Sequence, residues 1–323
     1  MTGETHKPLV SVVTPAFRPG AEDLGVVVEA LRQQTYLSIE WIVVDDASGP
    51  DFDAVFEKAI GDCPAPSRLV RLDRNSKQAA ARNRGVLEAK GDFIKFLDAD
   101  DALDPRHIEA LVEAAQAGGD RVIPFAPTRH VFTQTGRTQD NLTFRGLAEE
   151  REAQLIRLLD APFLHHCGAL FRRDMLVNLG PYDESLTTDE DGDLLMRAVL
   201  AGGIYRAVPD VRFLYRHHDA RRRVSSDDEL PKLEARAAVA RKLLSDRERS
   251  PALRAAIARR LDAVALKAWP VDRAYARSLI AEARAIEPSQ RSGSRLERAL
   301  RSIFGVSLSQ SVMRVLRRLR GMA

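Results

Sequence analysis

The chain has 323 residues, 45% hydrophobic and 29% charged. This is the composition of a soluble globular protein, and it excludes a wholly disordered chain. The length allows one large domain, or one domain with an appendage. The net charge of +3 hides an asymmetry: residues 221–323 carry 24 Lys and Arg against 11 Asp and Glu, whereas residues 1–220 carry 25 against 35. The acidic part suits metal-assisted chemistry and the Arg-rich part suits an anionic surface. Two cysteines, Cys63 and Cys167, cannot build a disulfide framework and point to a reducing compartment. No run nears the roughly 20 apolar residues of a membrane span, and the first residues lack a secretory apolar core. The expected location is cytoplasmic.

In chain order, Leu9–Thr14 reads as a buried strand, Leu24–Gln34 as a helix, and Ile39–Val44 as a second strand ending at Asp45-Asp46. A short helix over Phe52–Ile60, a strand over Arg68–Leu72, a helix over Gln78–Ala89 and a strand over Phe93–Leu97 follow, then a helix through about Ala117. This alternation predicts an α/β fold with a mainly parallel sheet flanked by helices. In such sheets ligands sit outside the carboxyl ends of the strands, where Thr14-Pro15, Asp45-Asp46 and Asp98–Asp101 fall. Residues 120–220 are less regular: a strand at Val122–Phe125, a hairpin over Thr128–Phe144, a helix over Ala148–Asp160, a helix over Asp189–Ala201, and strands at Tyr205–Val208 and Val211–Tyr215. From about Asp228 an Ala-, Arg- and Leu-rich composition predicts helices near 229–246, 251–268, 271–286 and 308–320, with a flexible link over Pro288–Ser294.

The residues alone leave each acidic motif with two readings. Asp98 and Asp100 can face one hard cation through oxygen ligands, or serve as acids near a helix start. Asp45-Asp46 can meet a base or ribose, or form a turn. Asp191 can be a general base, or complete a capping box with Thr188. His217-His218 can contact metal or diphosphate, or be a solvated basic turn. His165-His166-Cys167 lacks the spacing of a zinc site.

Five segments, VSVVTPAF (10–17), LRQQTY (31–36), IEWIVVDDAS (39–48), AAARNRGVLEAKGDFIKFLDADD (79–101) and DEDGDLLMRAVLAGG (189–203), occur in this order. Together they resemble the family-2 glycosyltransferases of the GT-A fold, over about residues 9–218. The resemblance implies a glycosyltransferase domain over 1–225, with a nucleotide half (about 9–117) and an acceptor half (about 118–225), followed by an Arg-rich helical extension over 226–323. It implies transfer of a sugar from a nucleotide-diphosphate donor, a UDP-sugar foremost, to an acceptor hydroxyl by a single displacement with inversion. Mg²⁺ or Mn²⁺ would be the cofactor, a glycan or lipid-linked acceptor the partner, and surface glycan or glycolipid synthesis the setting. No nucleic acid is implied.

Residue by residue, the resemblance places Thr14, Pro15 and Phe17 along the nucleotide, Asp45 on the base with Asp46 beside it, and Arg82 and Asn83 near the donor, with Arg82 able to reach phosphate. Asp98 and Asp100 match the D-x-D motif, Asp100 being the direct metal ligand. Asp191 matches the catalytic base with Glu190 as the alternative or supporting acid, and His218 matches a residue near metal or diphosphate. The sequence departs from the family pattern at Phe17-Arg18 (usually Tyr-Asn), at Lys77 (commonly Gly) and at Gly192 (frequently aromatic). Two other classes compete: a sugar nucleotidyltransferase, which would carry a Gly- and Lys/Arg-rich phosphate loop after the first strand, and a non-catalytic nucleotide-sugar-binding partner, which would lack Asp191 or Asp100. The last predicted helix carries Val312, Val315, Leu316 and Leu319 on one face with Arg314, Arg317 and Arg318 mostly off it. That pattern leaves open a peripheral contact with the inner face of a membrane, a homodimer contact, or packing on the preceding helices.

Overall fold

A computed structural model describes residues 7–61, 63–160, 164–217, 229–244 and 249–288. His218 and the predicted helix near 308–320, with its membrane or dimer contact, lie outside the described residues. The chain divides into two compact units, residues 1–186 with 190–222, and residues 187–189 with 223–323.

In the first unit, β1 (Val10–Ala16), α1 (Ala21–Arg32), β2 (Ile39–Asp45), α2 (Phe52–Ile60), β3 (Ser67–Arg71), α3 (Lys77–Glu88) and β4 (Phe93–Phe96) alternate as the sequence predicts. There follow β5 (Ala102–Leu103), α4 (His107–Gly118), β6 (Val122–Phe125), β7 (Thr128–Phe132), β8 (Arg137–Asp140), α5 (Arg151–Asp160), a 3₁₀ turn (His166–Gly168), β9 (Phe171–Arg172), α6 (Arg173–Leu179), α7 (Glu190–Leu200), β10 (Ile204–Ala207) and β11 (Phe213–His217). The main sheet has the order β3-β2-β1-β4-β9. Its first four strands are parallel, and β9 pairs antiparallel to β4. Every residue of β2 and β4 is buried, and all but Pro15 of β1. This is why these strands read as continuous apolar runs rather than as alternating ones. The chain leaves β1 toward β2 and β3, then crosses back to β4 on the other side of β1. The crevice at that reversal is where a doubly wound sheet receives its ligand.

α3 covers this reversal closely. A Cβ on Gly85 would lie 2.2 Å from Val13 Cγ1, so only glycine lets the helix approach β1 this far. The less regular half forms a parallel pair, β10-β6, and a four-stranded sheet, β5-β11-β7-β8. The predicted hairpin is present as β7 and β8. The last strand lies two residues later than the sequence suggests, because Phe213 pairs with Thr128 and His217 with Phe132.

The second unit contains α8 (Leu230–Lys242), α9 (Pro251–Ala268) and α10 (Arg273–Ile286). Ser250 caps α9 by accepting the Leu253 N–H, with Pro251 in the first turn. Asp272 caps α10 in the same way through Tyr275. Leu253, Ile257 and Leu261 of α9 and Leu279 of α10 are buried in its core. A bidentate pair from Arg241 to Glu282 spans α8 and α10 at 2.8 and 2.7 Å. Among the described residues, no helix is long and apolar enough to cross a membrane, and both cysteines are free.

Candidate active site at the carboxyl ends of the parallel strands

Register brings the strand ends together. Ala16 pairs with Asp45, and Val13 pairs with Phe96. Phe17 is 50% exposed where β1 ends, with the Arg18 guanidinium 5.2 Å from its ring centroid. Pro15 lies between them and buried Thr14, whose hydroxyl accepts the Trp41 Nε1–H at 3.0 Å and so faces the sheet.

Asp45 and Asp46 are both buried, and their partners differ. Asp45 Oδ1 accepts the Ser48 N–H at 2.9 Å, and Oδ2 lies 3.8 Å from Arg71 Nε. Asp46 accepts the Ser76 and Lys77 N–H groups at 2.6 and 2.9 Å, one on each oxygen. Asp46 therefore caps the start of α3, where a carboxylate meets the free N–H groups and the positive end of the helix. Both oxygens of Asp46, which is expected beside the nucleotide, thus accept backbone N–H groups of the fold.

Asp98 follows β4 and is half-buried; Arg82 Nη2 donates to its Oδ1 at 2.8 Å. Burial opposes the charge on Asp98, but the Arg82 guanidinium outweighs it and the carboxyl is held at about 2. Asp100 is half-buried, and its backbone carbonyl accepts from Arg216 Nη1 at 3.2 Å. Asp101 is buried and accepts the Arg216 N–H at 2.9 Å. Thus β11 fixes the acidic loop through Arg216, a residue the sequence reading passed over. Asp98 and Asp100 offer oxygen donors only, which fits Mg²⁺ or Mn²⁺, since such ions commonly take one or two carboxylates and complete their shell with phosphates and water.

Arg82 is only 2% exposed. Besides Asp98, it meets Gln78 Oε1 at 3.1 Å and Glu190 Oε1 at 3.5 Å, and its guanidinium lies 5.3 Å from the Tyr182 ring centroid. The guanidinium therefore joins the D-x-D loop to the head of α7. Within the fold, the side chain expected to reach donor phosphate makes this internal link. Asn83 is likewise occupied: it donates to the Tyr182 carbonyl at 3.0 Å and to Glu184 Oε1 at 2.7 Å, and accepts the Tyr182 N–H at 2.8 Å. It pins the loop before α7 to α3.

α7 begins at Glu190, and Asp189 before it has φ 63°. Asp191 is thus the second residue of the helix. A capping box would need it one position later relative to its cap, so Thr188 and Asp191 are out of register for that motif. Asp191 Oδ1 accepts the Gly192 N–H at 3.0 Å, while Oδ2 faces His166 Nδ1 at 3.5 Å. Its side chain is 37% exposed, against 17% for Glu190. Its partly enclosed position opposes charge; the His166 and His165 imidazoles and Arg82 more than offset this and hold the carboxyl below the usual range.

His165, His166 and Cys167 bring ligand-capable atoms within 4.8 Å of one another. His166 Nε2 already meets Cys167 Sγ at 3.2 Å, and the buried cation Arg82 acts on this turn. A metal ion would add positive charge to an already cationic interior. Lys95 is a second buried cation, on β4. Among the described residues its Nζ has no hydrogen-bond partner, and burial lowers it to about 8 against the pull of Cys167, Asp101 and Asp98. A separate cavity of about 400 Å³ flanks the hairpin, lined by His130, Gln139, Asp140 and Thr143 among others; it takes in none of Asp98, Asp100 and Asp191. His217 packs there against Phe132 and meets His130 at 2.9 Å.

The family model described as glycosyl transferase family 2 matches residues 11–180, more than half of the chain. The chain belongs to glycosyltransferase family 2. This glycosyltransferase is 29% identical over 217 residues to the succinoglycan biosynthesis protein ExoO of Rhizobium meliloti (strain 1021), covering 64% of this chain and 60% of ExoO. It is 26% identical over 190 residues to an uncharacterized glycosyltransferase of Haemophilus influenzae, covering 58% of this chain and 61% of that protein. The chain thus matches about 60% of the length of these two relatives. The crystal structure of S. aureus TarS 1–349 in complex with UDP-GlcNAc superposes with a TM-score of 0.66 at 17% identity, covering 96% of this chain and 92% of that one. At this identity the likeness concerns the fold, which is GT-A. The glycosyltransferase's α7, with Glu190 and Asp191, lies beyond the residues that the family model matches.

Proposed function

We propose that this protein transfers a sugar from a UDP-sugar to an acceptor hydroxyl by a single displacement with inversion, with Asp191 as the general base. The observation that carries this reading is the division of labour in the acidic pair. Glu190 is tied to buried Arg82, which also holds Asp98 of the acidic loop, whereas Asp191 beside it stands more open at the head of α7 and faces His166. An ionised carboxylate there can take the acceptor proton as the hydroxyl attacks, an effect worth about 10²–10⁴-fold. Asp100 and Asp98 would hold Mg²⁺ or Mn²⁺, which supplies positive charge for the leaving diphosphate. Phe17 and Asp45 bound the nucleotide side. Similarity to ExoO, a succinoglycan biosynthesis protein, supports an acceptor in surface glycan synthesis, and the likeness to TarS in complex with UDP-GlcNAc supports a UDP-sugar donor.

A donor screen tests this: nucleoside diphosphate released from UDP-, GDP- and dTDP-sugars is measured with Mg²⁺ and with Mn²⁺. Metal-dependent release of UDP is expected, and Asp191→Asn should lower kcat by about 10²–10⁴-fold with donor affinity within a few fold. Pyrophosphate formed from a nucleoside triphosphate and a sugar phosphate would make the protein a nucleotidyltransferase. Donor binding without turnover would make it a binding partner.

A further inference from the structure

We propose that His166 is a positioning residue for the base: its imidazole, with the tautomer set by Cys167, orients the Asp191 carboxylate toward the acceptor. The inference rests on the reading of Asp191 as the base. His166 opens the 3₁₀ turn and is 2% exposed, and Cys167 beside it is fully buried. Burial pushes the Cys167 thiol well up, so its sulfur keeps the proton, and in the proposed tautomer it donates to His166 Nε2, which it meets across 3.2 Å. Nε2 is then the acceptor, and the ring proton belongs on Nδ1. Nδ1 is buried, and no described group gives it a hydrogen bond of ordinary length; the acid facing it is Asp191 Oδ2 at 3.5 Å. Catalytic hydrogen bonds are often this long before substrate binds.

The ring is held on several sides. Phe96, Tyr182 and His165 lie with ring centroids 6.0, 6.0 and 4.6 Å away. Gly168 closes the turn against Ala126, where a Cβ would meet the carbonyl oxygen at 2.7 Å. On the other side of the contact, Gly192 N–H holds Asp191 Oδ1. A carboxylate held at Oδ1 by its own helix and faced at Oδ2 by a fixed imidazole has one orientation. The groups acting on Asp191 are His166 and His165 at the 3₁₀ turn and Arg82 from α3, with the Tyr182 hydroxyl interacting with it from the loop before α7. Burial and Arg82 lower the His166 pKa against the pull of Asp191, which favours the neutral ring that can serve Asp191 as an N–H donor. The sequence gives no period or spacing that marks this chain of Cys167, His166 and Asp191.

The test uses the full chain and measures kcat, donor KM and the pH dependence of kcat, with folding checked by circular dichroism. His166→Phe keeps the ring and removes the donor. It should lower kcat about 10–100-fold at unchanged donor KM, the scale seen when outer partners of a reacting group are lost, and move the acid limb to higher pH. His166→Asn, whose amide N–H falls near the Nδ1 position, should recover most of kcat and the acid limb. Cys167→Ala should cost a few fold. Normal kcat and acid limb in His166→Phe would overturn the inference, as would an Asn variant no better than Phe. If His166→Phe fails to fold, His166→Asn with Cys167→Ala decides: the Asn variant near the wild-type rate and the Ala variant a few fold slower support the inference, and any other pattern overturns it. Full turnover in Asp191→Asn would instead remove the base reading itself; loss there with none in His166→Phe removes this inference alone.

Discussion

The acids at the ends of the parallel strands and the acids at the head of α7 are held in different ways. Asp45 and Asp46 accept backbone N–H groups from Ser48, Ser76 and Lys77. Any residue but proline supplies such a donor, so an acid after a buried strand is enough to set the arrangement. Glu190 and Asp191 face side chains, Arg82 and His166, that reach them from other elements. That arrangement depends on the identity of single distant residues. Arg82 belongs to both regions, since it also binds Asp98.

Removing Arg82 tests this comparison most severely. Arg82→Ala leaves Asp98 and Glu190 without their buried cation. It should cost about 3 kcal/mol, the low end for a broken buried pair because both acids keep some water contact. By the size scaling for domains of this length, Tm should fall by about 6–12 °C in a thermal melt. An unchanged Tm with lost donor affinity would instead put Arg82 on the donor phosphate.

This contrast also explains what the sequence made legible. The alternation of buried runs and helical spacing placed β1 to β4 and α1 to α4, and acids at strand ends placed Asp45, Asp98 and Asp100. The partners of Asp46, Arg82 and Asn83 within the fold are decided by tertiary packing, which no local pattern encodes. Arg216 and Tyr182 carry no local signal for the same reason, and His166 is legible only as a zinc ligand that the spacing argues against. The two-residue shift of β11 toward the carboxyl end comes from register with β7, again a property of the assembled sheet.

Lys95 offers an intermediate test, because it is a cation of the core without the paired acids of Arg82. Burial holds its ammonium at about 8 rather than the usual 10.5. Below pH 8 both folded and unfolded chains carry the proton, and the folded state bears the full cost of the buried charge. Between pH 8 and 10.5 the unfolded chain binds more protons, so stability rises with pH in that window. Lys95→Met should therefore be more stable than the wild type at pH 7 by about 1–2 kcal/mol, the usual sign when a buried charge yields to an apolar side chain of similar volume. The advantage should shrink as pH rises through the window. Paired melts at pH 7 and pH 9.5 read this directly. A variant less stable at pH 7 would mean that the attraction of Asp98 and Asp101 outweighs the burial cost.

The smallest expected effect concerns Lys77, which stands where the family commonly has glycine. Its φ is 75°, in the left-handed region, and its side chain is exposed. For a residue with a Cβ this conformation costs roughly 1–2 kcal/mol. Glycine removes that cost but adds about 0.5–1 kcal/mol of backbone entropy to the unfolded chain. The bond from Lys77 N–H to Asp46 belongs to the backbone and survives the change. Lys77→Gly should thus stabilise the protein by about 0.5 kcal/mol, a rise in Tm of roughly 1–2 °C for a domain of this size. Because the strand-end region is held by backbone donors, this substitution should leave the cap on α3 in place. A fall in Tm would show that the lysine side chain contributes to the loop, and the difference between backbone-held and side-chain-held acids would then narrow.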